Sequence, residues 1–341
     1  MSIDLSGFAA VVPAATVERL RSARRVLAVT HEHPDADTLG AALATTLMIE
    51  ALGGRATPAS SDAVPPLYAF MPGIDRFRPD PEPGIEYDLV VVSDFGGLDR
   101  IGAIRDRHES LFERVPHLTV DHHKSTGTGG PSDWIDPEAA ATCEMAALIA
   151  ARLGVPLTAD DGALATVLMA GIVMDTATFA HPNATPRTLA VSAALVEAGA
   201  PLSEISRRLY RTKPDEQLRL FGRVLDRLET MAGGRIVLST LLDADLAATG
   251  SIAAHSEGII DLLAQSERAD VAILLKEQGP AATRVSVRTK PDGVDATTLT
   301  ATFGGGGHAR AAGATIPLPV AEAKPVVVAE AERLLAAIPS R

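Results

Sequence analysis

Short apolar runs separated by helix-forming stretches fill the first two hundred residues, and this alternation restricts the chain to few architectures. The runs are RVLAV (25–29), DLVVVSD (88–94) and HLTVDHH (117–123). Each is apolar along most of its length and not at every second position, as expected of strands covered on both faces. Between and after them lie helix-forming segments. From Thr38 to Leu52 the leucines 39, 43 and 47 stand four apart, and Gly53–Gly54 ends the stretch. A helix is expected over roughly 158–173, with Thr158 as N-cap and Asp161 three residues on. Another is expected from Pro186 to about Ala198, capped by Thr185 and stopped by Gly199. This order predicts an α/β fold with a doubly wound, mostly parallel sheet.

The character of the chain changes near residue 200. SRRLYRTKPDEQLRLFGRVLDRLE (206–229) is charged, helical in pattern and broken at Pro214. The predicted organisation is a first domain over 1–200, a helical connector over 201–232 and a smaller α/β domain over 233–341. In the last part, strands are expected at 235–242, 269–277 and 283–290, and a helix at 320–337. Along 283–290, Val285 and Val287 alternate with Arg284, Ser286 and Arg288, the pattern of a half-exposed strand. Gly304–Gly307 then opens GGGGHARAAG. Four glycines permit close approach of a ligand to the backbone and an anion nest of N–H groups.

Composition narrows the function. Lys plus Arg total 31 against 43 for Asp plus Glu, a net charge of −12. That excludes a broad basic face for long duplex nucleic acid but not local capture of a small phosphorylated ligand. Cys143 is the sole cysteine, which excludes an intrachain disulfide and a cysteine-rich zinc site. No leader pattern and no apolar stretch of about 18 residues is visible, so a soluble, cytoplasmic protein without membrane contact is expected. Trp134, Cys143, His108, His117 and His255 read as packing or surface residues.

The ends of the apolar runs carry the chemistry. His31, Asp35 and Asp37 follow the first, Asp94 ends the second, and Asp121, His122 and His123 end the third. Asp175 follows an apolar helix. Any one cluster is explained by capping, but all of them fall at the carboxyl ends of one sheet, where such folds bind ligands. Crowded carboxylates raise one another's pKa unless cations neutralise them. Mixed imidazole and carboxylate donors without thiolate suit Mn²⁺, with Mg²⁺, Co²⁺, Fe²⁺ and Zn²⁺ as rivals. The number of donors exceeds the needs of one ion. It suits two ions about 3.5–4 Å apart, an arrangement used to hydrolyse phosphate esters.

HEHPDAD, the aspartate of VVSDFGGLDRIG, DHH and GIVMDTATF resemble, in order, the four motifs of the DHH phosphoesterases, and FGGGGHARAAG resembles the glycine-rich signature of that family's C-terminal substrate domain. The resemblance spans roughly 24–316 and is to the oligoribonuclease (nanoRNase) and pAp-phosphatase type, some relatives of which act on cyclic dinucleotides. It implies that His31 and Asp35 hold one ion, that Asp37, His122 and Asp175 hold the other, and that Asp94 bridges them. Asp37, Asp94, His122 and His123 would form the catalytic set. Asp121 would orient a neighbouring histidine. Arg288, in the family's R-S/T-K strand motif, Gly305, Gly306, Gly307, His308 and His123 would bind substrate. His33 stands where relatives often have Asn and is left out of the ligand set. Ala180 stands where an arginine is common.

The activity so implied is hydrolysis of short oligoribonucleotides, including pApA-type dinucleotides, to nucleoside monophosphates, and of pAp to AMP. Two divalent ions, Mn²⁺ foremost and Mg²⁺ or Co²⁺ as substitutes, would activate a hydroxide. The substrate would lie in a cleft between the domains, whose separation limits its length. Partners would be short RNA, pAp or small dinucleotides, and a homodimer stays open. The alternatives are a related enzyme acting on cyclic dinucleotides or pyrophosphate, and a catalytically silent nucleotide sensor.

Overall fold

The computed structural model describes residues 3–126, 129–291 and 293–338, with residues 98, 99 and 125 in backbone only. The chain divides into two compact units, Met1–Thr212 and Lys213–Arg341.

The first unit is built on five parallel strands: β1 (Arg25–Val29), β2 (Arg55–Ala59), β3 (Leu89–Ser93), β4 (His117–Asp121) and β5 (Trp134–Ile135). Their order is β2-β1-β3-β4-β5, all pairs parallel. The chain reverses its direction of winding between β1 and β3, and ligands bind at such switch points. Val26, Leu89, Val91, Leu118 and Val120 face one core with the helices Ala36–Ala51, Thr142–Leu153 and Ala163–Asp175. Leu27, Val29, Val90 and Val92 face a second core with Ile101, Ile104 and Phe112. Burial on both faces is why the runs are apolar throughout.

Three strands lie where the sequence places them. β2 was not foreseen, because RATPA holds Pro58; the strand is at the sheet edge, where a missing N–H is tolerated. The helix expected from Thr38 begins at Ala36, because Asp35 caps it: Asp35 Oδ1 accepts from the N–H of Asp37 at 2.9 Å and of Thr38 at 3.2 Å. The helix expected from Thr158 begins only at Ala163. Asp160, Asp161 and Gly162 take left-handed backbone, with φ of 52°, 51° and 85°, so Thr158 caps nothing. The Pro186–Glu197 helix forms as expected. Thr185 and Thr188 close a reciprocal capping box, and Gly199 leaves it at φ 104°. The buried Thr142–Leu153 helix has no sequence signal at its start, because its N-cap residue is Ala141 and its first amides are held by the distant Asp37.

The second unit is a six-stranded sheet of β6 (Glu229–Met231), β7 (Ile236–Leu241), β8 (Val271–Glu277), β9 (Thr283–Thr289), β10 (Gly306–His308) and β11 (Ala311–Ile316). The order is β10-β11-β9-β8-β7-β6, antiparallel except for β7–β8. The Val320–Ala336 helix covers Ile273, Val285 and Val287 on one face. On the other, Asp215–Asp226 and Ile259–Leu263 pack on Val237, Ala272 and Leu274. Of the stretch read as a connector, Leu202–Tyr210 belongs to the first unit and Asp215–Asp226 to the second.

Candidate metal centre

The loops leaving β1, β3 and β4 and the first turn of the Ala36–Ala51 helix bring five of the expected residues to the switch point, and the last residue of the Ala163–Asp175 helix adds Asp175. Asp94 is the hub. Its Oδ2 lies 3.7 Å from His31 Nε2, and its Oδ1 lies 3.3 Å from His122 Nε2. Behind His31 stands Asp35 Oδ2 at 3.9 Å, and behind His122 stands Asp175 Oδ2 at 3.2 Å. Asp37 joins His122 and Asp175 in one group of donors; His31, Asp35 and Asp94 form another. Asp94 takes left-handed backbone, φ 59°, which is uncommon for a non-glycine residue and concentrates at functional sites.

Neighbouring groups fix each donor. His31 Nδ1 lies 2.6 Å from the Glu32 carbonyl, and His122 Nδ1 lies 3.3 Å from that of Ala139. Each carbonyl can accept the Nδ1 proton, which leaves Nε2 free to ligate a cation. Asp37 is fully buried and accepts from the first two amides of the Thr142–Leu153 helix, Thr142 N at 2.6 Å and Cys143 N at 2.8 Å. A helix N-terminus favours an anion there. Asp37 fits only because residue 171 has no side chain. A Cβ at Gly171 would lie 2.4 Å from Asp37 Oδ1 and 2.4 Å from Cys143 Sγ.

Asp121 is also fully buried. It holds the Gly96 amide at 2.8 Å, the His123 amide at 3.0 Å and His123 Nδ1 at 2.8 Å. It therefore orients His123 and the loop that carries Asp94. Further out, Arg187 bridges buried Glu144 and Asp136, and Thr188 donates to Glu144 at 2.7 Å. This network braces the Ala139–Ala141 backbone behind His122 and Asp37.

The electrostatics are those of a site built around cations. Burial pushes Asp37 up to about 7, with Asp94 adding to the effect. Burial, then Asp37 and Asp94, raise Asp175; burial and Asp94 raise Asp35. Burial opposes the charge on His122, yet Asp94, Asp37 and Asp175 carry it up to about 10. Asp94 alone of the four ligand-type aspartates falls below the ordinary range: burial acts upward, but His122 and His31 outweigh it. Two imidazoles and four carboxylates, with no thiolate among them, fit hard or borderline divalent ions.

Residues 25–172 match the DHH family, N-terminal domain, and residues 233–337 match the DHHA1 domain. The chain is 31% identical, over 84% of its length and 82% of the relative, to the bifunctional oligoribonuclease and PAP phosphatase NrnA of Thermus thermophilus. The chain belongs to the DHH family of phosphoesterases. Another member, the Bacillus subtilis protein of the same name, is 24% identical over 84% of this chain and 87% of its own. The crystal structure of an exopolyphosphatase-related protein from Bacteroides fragilis superposes with a TM-score of 0.83, at 21% identity, covering 96% of this chain and 98% of that one. It shares the fold.

In the DHHA1 domain, Arg288 and His308 stand on one cross-strand row, each opposite Ala311 of the strand between them. Arg288 is engaged already, its Nε 2.8 Å from Asp261 Oδ1. His308 is exposed. The glycine run forms β10 of a hairpin, and β11 explains part of it: a Cβ at Gly305 would lie 2.3 Å from the Gly313 carbonyl, and one at Gly307 2.6 Å from that of Ala311. Gly306 has open space around it. His33 is exposed and lies 3.4 Å from Asp62, outside the cluster. His181 meets the Asp175 carbonyl at 3.1 Å. Sequence reasoning missed Arg100, whose Nη2 lies 3.4 Å from His31 Nδ1, and Gly171; a glycine inside an apolar helix was the available signal for the latter. No single helix among the described residues is long and apolar enough to cross a membrane.

Proposed function

We propose that this chain hydrolyses short oligoribonucleotides to nucleoside monophosphates and pAp to AMP, with two divalent ions, Mn²⁺ preferred. The observation that carries the reading is Asp94, which offers one oxygen to the His31–Asp35 side and the other to the His122–Asp175 side. The substrate class rests on the names of the Thermus and Bacillus relatives. His31 and Asp35 would hold one ion, Asp37, His122 and Asp175 the other, and Asp94 both. When bound, such ions polarise the scissile phosphate and lower the pKa of water.

The remaining work falls to the chain. Asp121 lies 2.8 Å from His123 Nδ1 and fixes the ring; the ring's Nε2 would accept a proton as the neutral imidazole and donate to a phosphate oxygen or the leaving group only as the imidazolium. The glycine at 171 and the two helix amides keep Asp37 within reach of its partners. Arg288, His308 and the backbone of Gly305, Gly306 and Gly307 bind a phosphate of the substrate, the arginine through its planar fork.

Two expectations follow from this assignment. Hydrolysis of pAp and of di- to pentaribonucleotides, followed by product chromatography, should stop with chelator and return best with Mn²⁺. Cleavage of long duplex RNA in preference to these, or of none of them, would overturn the substrate reading. Metal loading should also release protons at pH 7. His122, raised to about 10, must lose its proton to ligate, and Asp37, raised to about 7, is part protonated. Calorimetry in buffers of different ionisation heat should find net proton release on metal loading, with affinity falling as pH drops. Uptake of protons, or none exchanged, would contradict the ligand set.

A further inference from the structure

The second unit's sheet carries a pair of basic residues, on the same face as Arg288 and His308, that the reading above does not use. Arg284, Ser286 and Arg288 point to the same side of β9. Opposite Arg284 stand Lys276 on β8 and Thr315 on β11. Opposite Ser286 stands Gly313, and opposite Gly313 stands Gly306. Over β7 and β8 this face is covered by the helices that pack on Val237, Ala272 and Leu274. Over β11, β10 and most of β9 it is open, with Asp261 reaching over Arg288 and Lys276 half-buried at the margin of the helical cover: Arg284, Thr315, Gly306 and His308 are exposed, and Ser286, Arg288, Ala311 and Gly313 half-buried. The result is a trough floored by Ser286, Gly313 and Gly306. Arg288 and His308 stand at one end, and Arg284 and Lys276 at the other. Four residues of strand separate the two ends, about 14 Å.

Two like charges directly opposite on adjacent strands destabilise a sheet. Here neither member of the pair is in a direct ion pair among the described residues: Lys276 Nζ donates to Ser256 Oγ at 2.9 Å and Arg284 Nη1 to Thr315 Oγ1 at 3.4 Å. Burial and the neighbouring Arg284 lower the pKa of Lys276, and the Glu257 carboxylate acts upward against them. The floor matters to the geometry. A Cβ at residue 313 would come within 3.0 Å of Arg284 Nη2, so glycine there leaves the guanidinium lying along the trough. In a chain of net charge −12, two basic residues directly opposite one another, neither in a direct ion pair among the described residues, are suited to an anion.

We infer that Lys276 and Arg284 form a second phosphate subsite, spaced along the trough from Arg288 and His308, so that the second unit grips two phosphates of one strand. The ligand class is a single strand with phosphates more than one nucleotide apart. A trinucleotide or longer chain reaches both ends; a mononucleotide or dinucleotide reaches one. This deepens the proposed function, since it rests on Arg288 and His308 binding a phosphate, and it assigns a length preference to the same surface.

The test is binding, measured on the full-length, metal-loaded chain with 5′-phosphorylated 2′-O-methyl phosphorothioate oligoribonucleotides of one to five residues, which resist cleavage. Wild type should gain at least tenfold in affinity from two to three residues. The Lys276→Gln/Arg284→Gln pair should abolish that step and flatten the salt dependence for the trimer by about 0.7 in the log–log slope, the value for one single-strand phosphate contact. The charge-keeping pair Lys276→Arg/Arg284→Lys should retain the step. No step in wild type, or a step that survives the neutral pair, would overturn the subsite. Binding with the step but no hydrolysis of unmodified RNA would leave the subsite standing and defeat the activity proposed above.

Discussion

Asp94→Asn should abolish hydrolysis of pAp and short RNA while leaving the chain folded. An amide presents one acceptor oxygen and one NH₂ where the carboxylate presents two acceptors, so it cannot face both His31 and His122 as a ligand. Removal of a shared anionic ligand is expected to cost at least about 100-fold in rate, ~2.7 kcal/mol of barrier. The melting temperature of the metal-free variant should stay near wild type, because Asn tolerates the left-handed backbone of residue 94. Metal content, measured by elemental analysis, should drop. Retention of more than a tenth of wild-type activity at saturating Mn²⁺ would end the shared-ligand assignment.

The second large effect lies at a residue with no side chain. Exchanging a helical glycine for alanine ordinarily stabilises a helix by up to about 1 kcal/mol. Gly171→Ala should do the reverse, because the added methyl meets Asp37 Oδ1 and Cys143 Sγ at 2.4 Å each. Overpacking of this kind costs about 1–3 kcal/mol. The methyl also pushes Asp37 away from His122 and Asp175, so activity should fall more than tenfold. Gly222→Ala supplies the contrast: that helical glycine has nothing within 4 Å of an added Cβ, so thermal unfolding and rate should be unchanged or slightly improved. A Gly171→Ala variant as active as wild type would show that Asp37 is not held by this packing.

The contrast between these residues shows what a sequence reveals and what it hides. Clustered Asp and His at the ends of apolar runs are visible as letters, so the donor cluster and the parallel sheet were legible together. Continuous apolar runs announce strands buried on both faces, and Val26–Val29 and Leu89–Val92 are such strands. The edge strand β2, with Pro58 and few apolar residues, carries no such signal. The devices that fix the donors were illegible for a different reason. The Ala139 carbonyl, the Thr142 and Cys143 amides and the space beside Gly171 are properties of backbone placed by tertiary packing. The helix expected from Thr158 shows local propensity overridden in the same way, by three left-handed residues that re-aim the chain before Ala163. In the second unit, alternation along 283–289 foretold which side chains face out, and only the strand register set Lys276 opposite Arg284.

Metal stoichiometry tests the two-ion assignment most directly. Chain stripped of metal, its emptiness verified by elemental analysis, would be titrated with Mn²⁺ while pAp hydrolysis is followed. The account predicts no hydrolysis in the stripped chain and a rise that levels off at two ions per chain. Full activity without metal, or a plateau reached at a single ion, would contradict it.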